Sequence, residues 1–122
     1  MAKLEFFFDC SSPWTYLAFH EIERLACETK AHLVWKPFLV GGVFNTINPS
    51  VYQSRETPVL PKARYIKKDL QDWASYRGIK IGWPEVFPVN SVKAMRGAFL
   101  AIEKECIGRY ARKVFEAYWG EL

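Results

Sequence analysis

Ser12 is followed at once by Pro13 and, three residues on, by Thr15. A serine before a proline marks a helix start, because proline at the first helical position has no N–H to leave unpaired and its φ is already helical. Backbone N–H groups and the positive end of the helix favour an anion at that point. A hydroxyl there can cap the helix, the ordinary use of such a serine, or donate a hydrogen bond to an anion brought by another molecule. The three cysteines, Cys10, Cys27 and Cys106, are odd in number and have no paired spacing. Neither a disulfide framework nor a zinc site follows from them. With Ser12 and Thr15 in place of a cysteine pair, the helix-opening motif cannot exchange thiols for disulfides. Cys10 reads as a small buried hydrophobe near a strand end, and Cys27 and Cys106 as inert core residues on apolar helix positions. His20 and His32 read as structural. No metal-ligand cluster, glycine-rich phosphate loop or interleaving of aromatic and basic residues marks the sequence.

Leu4, Phe6 and Phe8 alternate with Glu5 and Phe7 and predict a buried strand from Lys3 to Asp9. Beyond Ser12, the positions Ala18, Ile22, Leu25 and Ala26 predict an amphipathic helix ending near Cys27 to Lys30. His32 to Phe38 predicts a second strand, so the order strand, helix, strand implies a parallel pair. Gly41-Gly42, Asn48-Pro49, Pro58 and Pro61 suggest an irregular functional loop. Ile66, Leu70, Trp73 and Ala74 then predict a helix from Pro61 that Gly78 terminates. Asn90 reads as an N-cap before a helix marked by Val92, Met95, Phe99, Ile102 and Cys106. A further helix carries Val114, Phe115 and Tyr118 beyond Gly108, and the helical pattern runs on through Trp119 to Leu122. Two strands make a poor sheet alone, so further strands are expected from residues downstream or from a second chain.

Half of the 122 residues are apolar and 16% are aromatic, enough for a packed core and against disorder. The formal charge of +4 is spread along the chain among acids. It suits a carboxylated small molecule and fits nucleic acid poorly. The brief apolar run at the start is too short for a signal peptide or a membrane span, and the unpaired cysteines suit a reducing cytosol.

The run Phe6-Phe7-Phe8-Asp9-Cys10-Ser11-Ser12-Pro13-Trp14-Thr15-Tyr16-Leu17-Ala18 resembles the opening of the group formed by 2-hydroxychromene-2-carboxylate isomerases and kappa-class glutathione transferases. The run from Pro61 to Ala74 resembles the group's first inserted helix. Trp83-Pro84, Phe87-Pro88-Val89-Asn90-Ser91 and Ala94-Met95-Arg96 resemble its next loop and helix. The order and gaps agree, so the resemblance covers essentially the whole chain. It implies an α/β fold, a thioredoxin-like βαβ half over residues 1–45 and an all-helical inserted domain over residues 46–122. Members of the group continue into two further strands that carry a cis-proline and contacts to glutathione.

The resemblance also implies a chemistry. Glutathione is the cofactor, and Ser12 holds its thiolate, a charge-assisted bond worth about 1 to 3 kcal/mol. Lys62 matches a lysine that anchors a carboxylate of glutathione or substrate, and otherwise reads as an exposed helix charge. Asn48 matches a position that hydrogen-bonds ligand, and otherwise reads as turn chemistry before Pro49. Trp14, Trp83, Pro84 and Phe87 form an apolar wall for an aromatic substrate, or else close the core between helices. The implied activity is glutathione-dependent cis-trans isomerisation of an aromatic unsaturated keto-acid, in a cytoplasmic homodimer with no nucleic-acid or membrane partner. Kappa-type transfer of glutathione to an electrophile shares the same site. A noncatalytic thioredoxin-like binding module is the reading from another class.

Overall fold

A computed structural model describes residues 1–121, so Leu122 lies outside the described residues. The order is β1 (Lys3–Phe8), α1 (Pro13–Glu28), β2 (His32–Pro37), α2 (Val40–Thr46), α3 (Ser50–Glu56), α4 (Leu60–Arg77), α5 (Val92–Glu103) and α6 (Ile107–Phe115), followed by a π-helical turn, Glu116–Gly120. β1 and β2 pair in parallel, with Lys3 opposite His32 and Phe8 opposite Pro37. The expected mixed α/β arrangement, βαβ followed by helices, is the one observed.

Strand alternation decides which aromatics enter the core. Phe6 and Phe8 of β1 are buried, while Phe7 between them faces outward and is 58% exposed. Trp35 of β2 meets Phe6 and Phe8 edge-on, each at 5.6 Å between ring centroids. On the other side of the core, Tyr16 and Phe19 of α1 reach Phe115 of α6 at 5.3 and 5.1 Å. Such pairs add about 0.5–1.5 kcal/mol each beyond the area they bury. Phe8 is fully buried, and Phe8→Ala is expected to cost about 3–5 kcal/mol.

Several expectations are corrected by this packing. The buried face of α1 is Pro13, Tyr16, Phe19 and Ala26, while Ala18 is exposed and Leu25 is 44% exposed. The large rings turn into the core and set the helix's rotation. Cys27 is exposed and is not a core residue; Cys106, half-buried in the turn before α6, packs against the edge of the core, and Cys10 is within it. On α4, Leu70 and Ala74 are buried but Ile66 and Trp73 are each 46% exposed. On α5, Ala98 and Ala101 face inward and Phe99 outward. Small residues win there because α5 and α6 approach closely: a Cβ on Gly97 would collide with Tyr110, whose hydroxyl donates to the Ala94 carbonyl at 2.7 Å. Residues 41–61, expected to be irregular, fold largely into α2 and α3. Gly78 ends α4 with φ 67°, a left-handed cap that suits glycine.

Candidate functional site

The turn between β1 and α1 is fixed from several directions. Asp9 is buried, and its two carboxylate oxygens accept the Ser11 and Val40 N–H groups, both at 2.9 Å. Its backbone carbonyl accepts the Ser12 N–H at 3.1 Å. One short acidic side chain thus shapes the turn and satisfies the first N–H of α2. The Cys10 N–H points at the Met95 sulfur at 3.4 Å, and the Cys10 carbonyl accepts Trp119 Nε1–H at 3.0 Å. Burial, helped by the neighbouring Asp9 charge, pushes the Cys10 thiol up to about 12, so this thiol is protonated and unreactive at neutral pH.

Ser12 is the N-cap of α1. Its backbone is extended (φ −105°, ψ 121°) and its Oγ accepts the Thr15 N–H at 3.2 Å. Capping uses a lone pair of the hydroxyl and leaves its proton free to donate. Pro13 has no N–H, and the Trp14 N–H has no protein acceptor among the described residues. An anion beside Ser12 therefore meets a hydroxyl proton, a backbone N–H and the positive end of a 16-residue helix.

Ser12 lines a cleft of about 980 Å³ together with Trp14, the start of α2, one face of α3, one face of α4 and the segment from Phe87 to Val92. Trp83 and Phe87 form part of its wall, 4.8 Å apart between ring centroids, and both rest on buried Trp119 at 5.8 and 6.0 Å. The lining is largely apolar, with hydroxyls from Ser11, Ser12, Tyr52 and Ser54 and cations from Arg55 and Lys67. That mixture suits a flat apolar ligand with a negative group. The only carboxylate on this wall among the described residues, Asp9, is taken up by two backbone N–H groups.

The residues singled out in the sequence divide. Ser12, Trp14, Trp83 and Phe87 meet at the cleft. Pro84 is buried and is not part of the lining. Lys62 is exposed on the first turn of α4 and lies off the wall, which α4 builds from Ala63, Ile66, Lys67 and Leu70. One residue is about 100° of rotation on a helix, enough to turn the Lys62 Cα–Cβ bond away. Asn48 is exposed between α2 and α3, where its Oδ1 accepts from the Ser50 hydroxyl, and it too lies outside the lining. Arg55 and Lys67, the cations that do line the cleft, were not singled out. Spacing of four along α4 ties Lys67 to Ala63 and to the cleft face, but Arg55 was hidden in a stretch that carried no helical signal. Among the described residues no group of metal-ligating side chains is present, and no helix is long and apolar enough to cross a membrane.

Known proteins give the arrangement a context. A model of the DSBA-like thioredoxin domain matches residues 3–122. A 2-hydroxychromene-2-carboxylate isomerase from Pseudomonas sp. (strain C18) is 31% identical over 120 residues, 97% of this chain and 54% of the relative. The isomerase of the same name from Pseudomonas putida is 32% identical over 120 residues, 97% of this chain and 56% of the relative. Glutathione s-transferase kappa 2 from Caenorhabditis elegans is 36% identical over 83 residues, 67% of this chain and 35% of the relative. Among solved structures, a 2-hydroxychromene-2-carboxylate isomerase superposes with a TM-score of 0.75 at 29% identity, covering 96% of this chain and 56% of that one. The chain spans about half the length of the curated isomerases it matches.

Proposed function

The chain belongs to the DSBA-like thioredoxin domain family, and from that premise we propose that it is part of a glutathione-dependent cis-trans isomerase acting on an aromatic unsaturated keto-acid of the 2-hydroxychromene-2-carboxylate type. The observation that carries this reading is Ser12: its Oγ accepts the Thr15 N–H at 3.2 Å, so the hydroxyl faces the cleft with its proton uncommitted. Where disulfide oxidoreductases place a cysteine thiolate at such a helix end, this chain places a donor for a sulfur it does not itself contain.

Ser12 and the start of α1 would hold the sulfur of glutathione, which when bound would supply a thiolate able to add reversibly to the double bond of the acid and so free rotation about it. Ser12 donates a hydrogen bond to the sulfur, and the Trp14 N–H and the helix end add to the field that keeps it ionised. Trp14, Trp83 and Phe87 offer flat apolar surface to an aromatic ring and exclude water from it. Arg55 and Lys67 make the cleft electropositive, which suits the carboxylate of the acid. Lys62 and Asn48 remain proposals as ligand-binding residues whose side chains would have to swing toward the cleft.

The relatives' names support this reading, and three unpaired cysteines are compatible with the reducing cytoplasm such chemistry needs. We also propose the division into a thioredoxin-like half over residues 1–45 and a helical domain over residues 46–122. Likeness to a kappa-class transferase over 83 residues supports a second reading, in which the sulfur stays attached to its electrophile.

The test is the acidity of glutathione on the protein. Thiolate absorbance followed against pH is expected to titrate at least about one unit lower in the complex than in free glutathione, and interconversion of 2-hydroxychromene-2-carboxylate with its trans-keto-acid isomer is expected to require glutathione. An unshifted thiol, or isomerisation without glutathione, overturns the proposal. A stable conjugate with an electrophile and no isomerisation selects the transferase reading.

A further inference from the structure

Resting on the reading that the cleft takes an aromatic acid, we propose that Arg55 binds the acid's carboxylate and sets the cleft's preference for anionic over neutral aromatic ligands. Arg55 stands on the cleft-facing side of α3 with Val51, Tyr52 and Ser54. Its guanidinium carbon lies 5.2 Å from the centre of the Phe87 ring and 5.7 Å from that of Tyr52. Both are within cation–π range, so the two rings hold the head group in place. The guanidinium's N–H donors lie in its own plane, and no hydrogen bond or ion pair among the described residues engages them, so they are free for a carboxylate fork.

Among the described residues nothing uses those donors. Among the described residues no carboxylate lies within ion-pair distance of Arg55; the ion pairs are made by Lys3, Arg24, Lys36, Lys68, Arg77 and Arg112. Asp9, the acid on the cleft wall, already accepts two backbone N–H groups and is buried. Phe87, which holds the guanidinium, also packs on Trp83, so a ring lying against that wall would carry a carboxylate into reach of Arg55. Lys67 shares the cleft, but an ammonium is a strongly hydrated point charge with no planar fork. It strengthens the positive field, and Arg55 supplies the geometry.

The experiment uses two probes of one shape, trans-cinnamate and trans-cinnamamide, titrated against the quenching of tryptophan fluorescence, with glutathione titrated separately. The wild-type protein is expected to bind the acid about tenfold or more tightly than the amide. Arg55→Met is expected to bring the acid down to the amide's level while the amide and glutathione stay within about twofold of wild type, as befits an exposed position. A variant that keeps the preference for the acid, or a wild type that has none, overturns the assignment. So does a variant that loses glutathione alone, which would give Arg55 to the tripeptide's carboxylate. Failure of glutathione to bind the wild type, with the acid preference intact and dependent on Arg55, sinks the Ser12 chemistry and upholds Arg55.

Discussion

Trp119 Nε1–H donates a 3.0 Å hydrogen bond to the backbone carbonyl of Cys10, joining the π-helical turn to the turn that presents Ser12 across 109 positions of sequence. The same indole supports Trp83 and Phe87 on the cleft wall, so one buried side chain braces both the turn that leads to Ser12 and the apolar wall. Trp119→Phe keeps a ring but removes the donor and leaves the Cys10 carbonyl unpaired. The expected loss is about 1–3 kcal/mol of stability, measured by urea unfolding, together with weaker glutathione binding. Wild-type stability in this variant would mean the carbonyl has another partner.

Ser12 caps α1 and is proposed to donate to sulfur, and substitutions can separate the two roles. Ser12→Ala removes the cap, about 1 kcal/mol, and the proposed donor to sulfur, for which turnover is expected to fall about 100-fold. Ser12→Asp keeps an acceptor for the Thr15 N–H and places a negative charge at the positive helix end, so stability at neutral pH should match or exceed wild type. Yet it puts an anion where the thiolate is proposed to sit, and activity is expected to be lost as in the alanine variant. An active Ser12→Asp protein would show that some other group ionises the sulfur.

How far these features could be read from the chain depends on how local their causes are. β1 shows in the alternation of Phe6 and Phe8, the start of α1 in Ser12-Pro13, and the end of α4 in Gly78. Asn90 was expected to cap α5, and its Oδ1 does accept the Val92 N–H at 3.1 Å although the helix boundary falls at Ser91. α2 was hidden for a different reason. Gly41 and Gly42 argue against a helix, and the first helical N–H is capped by Asp9, 31 residues earlier, which leaves no mark near Val40. The rotation of each helix was equally invisible, because it is set by which large side chain wins the core: Tyr16 and Phe19 over Leu25, and Leu70 over Trp73. That same rotation separates Lys62 from the cleft and brings Lys67 to it.

Cys10 makes a prediction at alkaline pH. Its thiol is raised by burial, and then by Asp9, from 9.0 to about 12. Below pH 9 the thiol is protonated in both folded and unfolded chains and contributes no pH dependence. Between about 9 and 12 the unfolded chain releases this proton and the folded one keeps it, so stability falls as pH rises, by up to about 1.4 kcal/mol per pH unit from this group. Cys10→Ala should make the alkaline arm of a stability profile shallower without abolishing it, since Tyr16, Tyr110 and Tyr118 are also raised, each chiefly by burial. An unchanged slope would mean Cys10 does not titrate in that range. Labelling offers an independent check: a thiol reagent at neutral pH should modify exposed Cys27 and spare Cys10.

His20 makes the opposite prediction at acid pH. Its Nε2 is buried without a hydrogen-bond partner, and its ring packs on Tyr16 at 4.7 Å and Phe19 at 6.0 Å. Burial first, and then the Arg112 charge, hold its pKa below the ordinary 6.5, against the weaker opposite pulls of Glu116 and Glu21. A base depressed in the folded state binds protons better when unfolded. The stability tied to neutral His20 is therefore fully present above pH 6.5 and is lost as pH falls below it. His20→Phe keeps a flat ring beside Tyr16 and Phe19, removes the unpaired nitrogen and cannot protonate. It is expected to stabilise the protein, with a larger gain at about pH 5 than at about pH 8 in parallel urea titrations. Equal gains at both values would show that His20 does not titrate there, and a loss at both would show that its buried nitrogen is satisfied by water.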